Sequence, residues 1–301
     1  MKLRIGIVGL GSIAQKVYLP LLCQSGDWQV IGAFSPNQQK ARALGESYRI
    51  ECFNSVESLA DQCDAVFVHA STAMHFSLVS LLLERGVHVY VDKPLAETLE
   101  QAERLVSLAE RRNKALMVGF NRRFAPRYLE LKQDMVAPAS VRMDKHRAAD
   151  IGPHDLRFTL LDDYLHVVDT ALWLVDGEPR LSGGALQTNQ AGQMIYAEHH
   201  FQVGDCLVTT SMHRQAGSQC ETISAVTEGA IWHIDDMRQL RKAAAGIISE
   251  RPVPAWQTIL AQRGFTGAVD HFLNSVANQT PPSVSGEEAL KAQAWIERLL
   301  R

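Results

Sequence analysis

Three short stretches of this 301-residue chain carry residues whose types and spacing suit chemistry. In Val89-Tyr-Val-Asp-Lys-Pro94 an apolar strand stops on Asp92-Lys93-Pro94. Proline cannot donate to a sheet ladder and stiffens the turn, so the Lys93 ammonium is held at the rim of a sheet. In Asp162-Asp-Tyr-Leu-His166-Val-Val-Asp169, residues four and seven apart share one helical face, which lines up Asp162, His166 and Asp169. In Gly9-Leu-Gly11-Ser12-Ile13-Ala14, a glycine turn follows the first apolar run and opens a helix. A cation such as Lys93 stabilises developing oxygen charge, and an imidazole takes up a proton near neutrality. A glycine turn at a helix N-terminus receives a pyrophosphate. Together these parts suit hydride exchange between a nicotinamide dinucleotide and a secondary alcohol, with Lys93 and His166 supplied by two domains that meet over a cleft.

The glycine turn is a G-x-G-x-x-A match in the right setting. Gly9 permits the tight turn, Gly11 lets the pyrophosphate approach the backbone, and Ala14 permits close packing of helix on strand. Ser12 and Ile13 open the helix whose N–H groups face the anion. An acid at the end of the second strand would bind a ribose 2′-hydroxyl and favour NAD. Ser35 stands there instead, with Lys40 and Arg42 following, so the reading leans toward NADP over NAD. Both basic residues suit a solvated helix face equally well.

The elements that must position these residues are legible as alternating apolar runs and helical patterns. Strands are expected at Leu3–Val8, Gln29–Phe34, Ile50–Phe53, Ala65–Ala70, His88–Val91 and Ala115–Gly119, with helices between them, for example over 74–85 and 98–112. Six strands so interleaved predict a doubly wound parallel sheet, the N-terminal Rossmann domain, over residues 1–120. Beyond it, helix is expected over 154–176, strands over Met194–Gln202, Cys206–Arg214, Cys220–Thr227 and Ala230–Ile234, and a helical tail over 257–277 and 286–300. Ser285-Gly-Glu-Glu288 is a capping box for the last helix. Residues 121–301 thus read as an α+β domain with an open, mostly antiparallel sheet, in an α/β chain overall.

Hydrophobic residues make up 46% of the chain and charged residues 21%, as in an ordinary soluble globular protein. A net charge of −3 gives no footprint for nucleic acid or an anionic membrane. No apolar run approaches the roughly 18 residues of a membrane span, and the N-terminal run is too short and glycine-broken for a signal peptide. Five scattered cysteines with no C-x-x-C fit reduced thiols in the cytoplasm. Asp162 and His166 could also begin a metal site, but spacing offers no third ligand, so no metal is expected.

The stretches Gly6-Ile-Val-Gly-Leu-Gly-Ser-Ile-Ala14, Asp64-Ala-Val-Phe-Val68, Glu84-Arg-Gly-Val-His-Val89, Asp92-Lys-Pro-Leu95 and Met117-Val-Gly-Phe-Asn-Arg-Arg-Phe124 resemble the Gfo/Idh/MocA oxidoreductases. The resemblance covers nearly the whole chain and is most specific over residues 1–125. It implies a Rossmann domain followed by an α/β domain whose open sheet often forms a homodimer or homotetramer, and a sugar-like substrate. It implies that Lys93 lies by the nicotinamide and holds the reacting oxygen, that the Lys93–Pro94 bond is of the kind found cis, that His166 is the general base, and that Asp162 supports substrate and base. The sequence departs from the family in Asp92, where a glutamate is usual, and in Phe158-Thr-Leu-Leu161, where a glycine-rich approach is usual. His75 is placed near the cofactor by the resemblance and as a helix cap or packing group by its position. Asn121 and Arg122, with Asp169, are candidates for substrate contact; Asn121 and Arg122 could equally join the domains, and Arg123 reads as a surface or interface ion pair. A dinucleotide-binding sensor without turnover is the alternative function.

Overall fold

The computed structural model describes residues 2–300. They form two compact units, one of residues 2–120 with 268–297, the other of residues 121–267 with 298–300. The sequence reading carried the second domain through to residue 301; the packing instead returns 268–297 to the first unit. The reason is apolar. Phe272 sits edge-on to Phe67 at 5.4 Å and to Tyr90 at 5.6 Å, and Gln293 donates to the Ala96 carbonyl at 2.9 Å. A residue stretch that reads only as amphipathic helix cannot announce which sheet its apolar face will cover.

The first unit holds β1 (Leu3–Val8), β2 (Trp28–Phe34), β3 (Glu51–Cys52), β4 (Ala65–Val68), β5 (His88–Val91) and β6 (Leu116–Val118). All pair in parallel in the order β3-β2-β1-β4-β5-β6. Strand order reverses between β1 and β4, and the crevice beyond the C-terminal ends there is the usual ligand position of such sheets. Ile5, Ile7, Val66, Val68, Val89 and Val91 are fully buried, as a sheet covered on both faces requires. The capping bond of the last helix, Gly286–Leu299, runs from the Glu288 N–H to Ser285 Oγ at 3.4 Å.

The second unit is built on β7 (Pro138–His146), β8 (Pro179–Thr188), β9 (Met194–Val203), β10 (Cys206–His213), β11 (Cys220–Thr227), β12 (Ala230–Asp235), β13 (Gln239–Ala244) and β14 (Ile247–Arg251). Their order is β14-β13-β12-β11-β7-β10-β9-β8. Only β7 and β10 run parallel; the other pairs are antiparallel. The helix Leu165–Leu174 packs on β7 and β10. Strands β7, β8, β13 and β14 were not expected from the sequence. β7 lies at the middle of the sheet, yet its inward positions run Val141, Met143, Lys145, and that buried lysine breaks the apolar alternation.

The five cysteines are all free. Among the described residues no helix is long and apolar enough to cross a membrane, and no three His, Cys, Asp or Glu side chains gather to hold a metal ion.

Candidate active site

The glycine turn lies at the reversal of strand order. The Gly9 N–H donates to the Phe34 carbonyl at 2.9 Å and the His69 N–H to that of Val8 at 2.7 Å, which ties together the C-terminal ends of β1, β2 and β4. Gly9 has φ +90°, and a Cβ there would lie 2.7 Å from the backbone of His69 and Ala70. Gly11 and Ser12 are exposed and Ile13 half-buried, while Ala14 is fully buried. The helix they open contains a π segment over Ala14–Tyr18. Gly9→Ala must therefore both strain the backbone and displace it. We expect a loss of about 1–3 kcal/mol in unfolding free energy, read by denaturant titration; stability equal to that of the parent chain would mean the turn can relax.

Two observations fit a dinucleotide at this edge. The Gly9 position is a cradle that a side chain would fill. His69, just beyond β4 and 4% exposed, has neither ring nitrogen hydrogen-bonded. Its ring stacks on Tyr18 at 3.7 Å, and burial pushes the imidazole down to about 3, so it is neutral. Ser35 is half-buried at the end of β2, and its carbonyl accepts from the Gln38 side chain at 2.9 Å. Lys40 and Arg42 are exposed.

Lys93 follows β5 on the same edge of the sheet as the glycine turn, because β1, β4 and β5 are parallel neighbours. Its ammonium chain is half-buried, its N–H is held by Asp92 Oδ1 at 2.9 Å, and the Lys93–Pro94 bond is cis. His75, on the helix Thr72–Glu84, is the strut of this turn. Its Nδ1 is 2.8 Å from the Pro94 carbonyl and its Nε2 3.2 Å from that of Ala70. Burial lowers its pKa against the pull of the two carbonyls. A neutral ring donates to one of the two oxygens, so His75 fixes the loop carrying Lys93 and sits 1% exposed.

In the second unit, Asp162 and His166 lie on a continuous helical stretch whose first part, Leu160–Tyr164, is a π turn running into the helix Leu165–Leu174. Such insertions are frequent at functional positions. His166 is 8% exposed and Asp162 half-buried. The other sequence candidates are engaged within this unit. Asp169 accepts from Arg123 at 2.6 and 3.1 Å, so Arg123 is a buried ion-pair partner and not a surface residue. Arg122 forks onto Glu221 at 2.7 Å on both arms, and Asn121 donates to the Arg263 carbonyl at 2.7 Å.

Sequence reasoning missed the most charged part of this unit. Asp163, 5% exposed, is gripped by Lys145 of β7, by Arg147 through two 2.8 Å bonds, and by Arg214. Beside it, Glu221 also accepts from Tyr128 at 3.0 Å. The only signal in the sequence was the Asp162-Asp163 doublet, which does not say which carboxylate faces inward.

Comparison with known proteins bears on both units. The family profile described as "Oxidoreductase family, NAD-binding Rossmann fold" matches residues 3–120, and one described as "YceM-like, C-terminal domain" matches residues 126–245. The chain is 57% identical over 99% of its length to a protein of Salmonella typhimurium named "Putative oxidoreductase YceM", covering 97% of that protein. It is 25% identical to a UDP-N-acetylglucosamine 3-dehydrogenase of Acidithiobacillus ferrooxidans, over 96% of this chain and 95% of the relative. The solved structure of a dehydrogenase, MviM, from Clostridium difficile superposes with a TM-score of 0.98 at 39% identity, covering 100% of this chain and 99% of that one.

Proposed function

Because the chain belongs to the Gfo/Idh/MocA oxidoreductase family with its NAD-binding Rossmann fold, we propose that it exchanges a hydride between a nicotinamide dinucleotide and a secondary alcohol of a sugar, cyclitol or related polyol. One observation carries this reading. The glycine turn that admits no side chain and the Lys93 turn lie on the same C-terminal edge of one parallel sheet, next to each other across β4. The relative named as a UDP-N-acetylglucosamine 3-dehydrogenase, which acts on a sugar nucleotide, supports the substrate class.

Gly9, Gly11, Ser12, Ile13 and Ala14 hold the pyrophosphate, and Ser35 faces the ribose 2′ position. The bound nicotinamide supplies the acceptor for the hydride of an alcohol carbon. His166 takes the hydroxyl proton, so the alcohol becomes a ketone as proton and hydride leave. Lys93 donates to the reacting oxygen as its charge develops, and Asp162 orients substrate and imidazole. His75 acts on this chemistry only through the position of the Pro94 carbonyl. The face of the second sheet that carries Arg142 and Asp144, opposite the buried Val141, Met143 and Lys145, is assigned to a second copy in a homodimer or homotetramer.

The reading leans to NADP, since a serine replaces the acid at the end of β2. Titration of the chain with both reduced dinucleotides, followed by fluorescence, should show tighter binding of NADPH. A preference of about tenfold or more for NADH, or 1.4 kcal/mol, refutes the lean. A polyol panel monitored at the reduced nicotinamide band tests turnover. Dinucleotide binding with no turnover on any polyol would favour the sensor reading.

A further inference from the structure

The ion cluster under the π turn gathers four basic side chains about two buried carboxylates and an exposed one. Arg122, Arg147 and Arg214 with Lys145, whose ammonium burial pushes down to about 7, face Asp163, Glu221 and Asp150. Most of this charge is buried: the Arg122, Lys145 and Arg214 side chains are 7%, 7% and 9% exposed. Charge in such a place is costly unless each group is paired and hydrogen-bonded. A carboxylate accepts about four hydrogen bonds, and Asp163 already receives Lys145, two from Arg147 and one from Arg214. One donor of the cluster, Arg214 Nε, is buried with no hydrogen-bond partner.

The remaining carboxylate is of a different kind. Asp150 lies in the exposed loop after β7, with its side chain 53% exposed, 3.1 Å from Arg214 and 4.0 Å from Arg147. Arg147, with its side chain 27% exposed, opens the cluster to solvent on that side. Asp150 thus takes, from a loop, the Arg214 arm that Asp163 leaves, with Arg147 nearby, a place an oxyanion could fill.

We propose that Arg214 and Arg147, with Lys145 behind them on Asp163, form a subsite for an anionic group on the polyol, a carboxylate or a phosphate, and that Asp150 is an internal stand-in which this group displaces. The inference rests on the sugar-like substrate proposed above and narrows it to acidic sugars or sugar phosphates.

Calorimetric titration of the full chain with D-gluconate, D-glucose 6-phosphate and D-glucose, at matched ionic strength, tests this without requiring turnover. At least one of the two anions should bind about tenfold or more tightly than D-glucose; which one does so distinguishes carboxylate from phosphate. Asp150→Asn, a change in an exposed loop, should tighten that anion at least about threefold by removing the competitor. Equal affinity for the three sugars, or no tightening in Asp150→Asn, overturns the proposal. Anion binding without hydride transfer would leave the subsite standing and remove the oxidoreductase reading.

Discussion

Lys93→Ala should lower turnover on the best polyol substrate by about 100-fold or more, the usual loss when one donor to a developing oxyanion is removed. The chain should stay folded, because Lys93 is only half-buried and its turn is held from elsewhere. The Asp92 side chain fixes the Lys93 N–H, and His75 fixes the Pro94 carbonyl. His166→Ala should cost a similar factor by removing the proton acceptor, with a different signature. Its activity should rise with hydroxide concentration where the parent reaches a plateau. Steady-state rates across pH, with dinucleotide affinity measured separately by fluorescence, check both. Near-parental turnover in either variant removes that residue from the chemistry.

Asp163→Asn is the substitution with the largest expected effect on stability, about 3–5 kcal/mol, because it leaves Lys145, Arg147 and Arg214 buried or half-buried around a neutral amide. Urea unfolding measures it, and a loss below about 1 kcal/mol would mean that the cations disperse to solvent. The same cluster sets the acid limb of stability. Burial alone would raise the Glu221 pKa, but the Arg122 charge and hydrogen bonds, helped by Lys145 and Tyr128, bring it from 4.5 down to about 2. A carboxyl lower in the folded state stabilises above its unfolded value and loses that contribution as pH falls through the folded one. Stability should therefore decline between pH 4.5 and about 2, and less steeply in Glu221→Gln once its lower starting stability is taken into account.

The first unit was legible in the sequence because its signals are short. Gly9 to Ala14 and Asp92 to Pro94 are each contiguous, and a buried parallel strand announces itself as an unbroken apolar run. Strand ends moved by a residue or two, as at Ala65–Val68 where Ala65–Ala70 was expected. The second unit hid its centre. β7 alternates correctly, but Lys145 takes an inward position, and its reason, Asp163, lies 18 residues away. Arg122 and Glu221 are 99 residues apart, and no local pattern links them. Arg123 shows the same limit: its sequence fits a surface or an ion-pair residue alike, and only Asp169, 46 residues on, settles it as an ion pair. Pairings made across a fold follow tertiary geometry, which periodicity does not record.

The return of residues 268–297 to the first unit has a bearing on how the protein is made. Its dinucleotide-binding sheet leaves the ribosome early, yet Phe67 and Tyr90 find Phe272 only after the whole second sheet has been synthesised. Until then the nascent sheet presents an aromatic surface that is oily and uncovered. The interval is a natural place for a chaperone to bind, and a chain released prematurely near residue 267 would carry that exposed surface permanently.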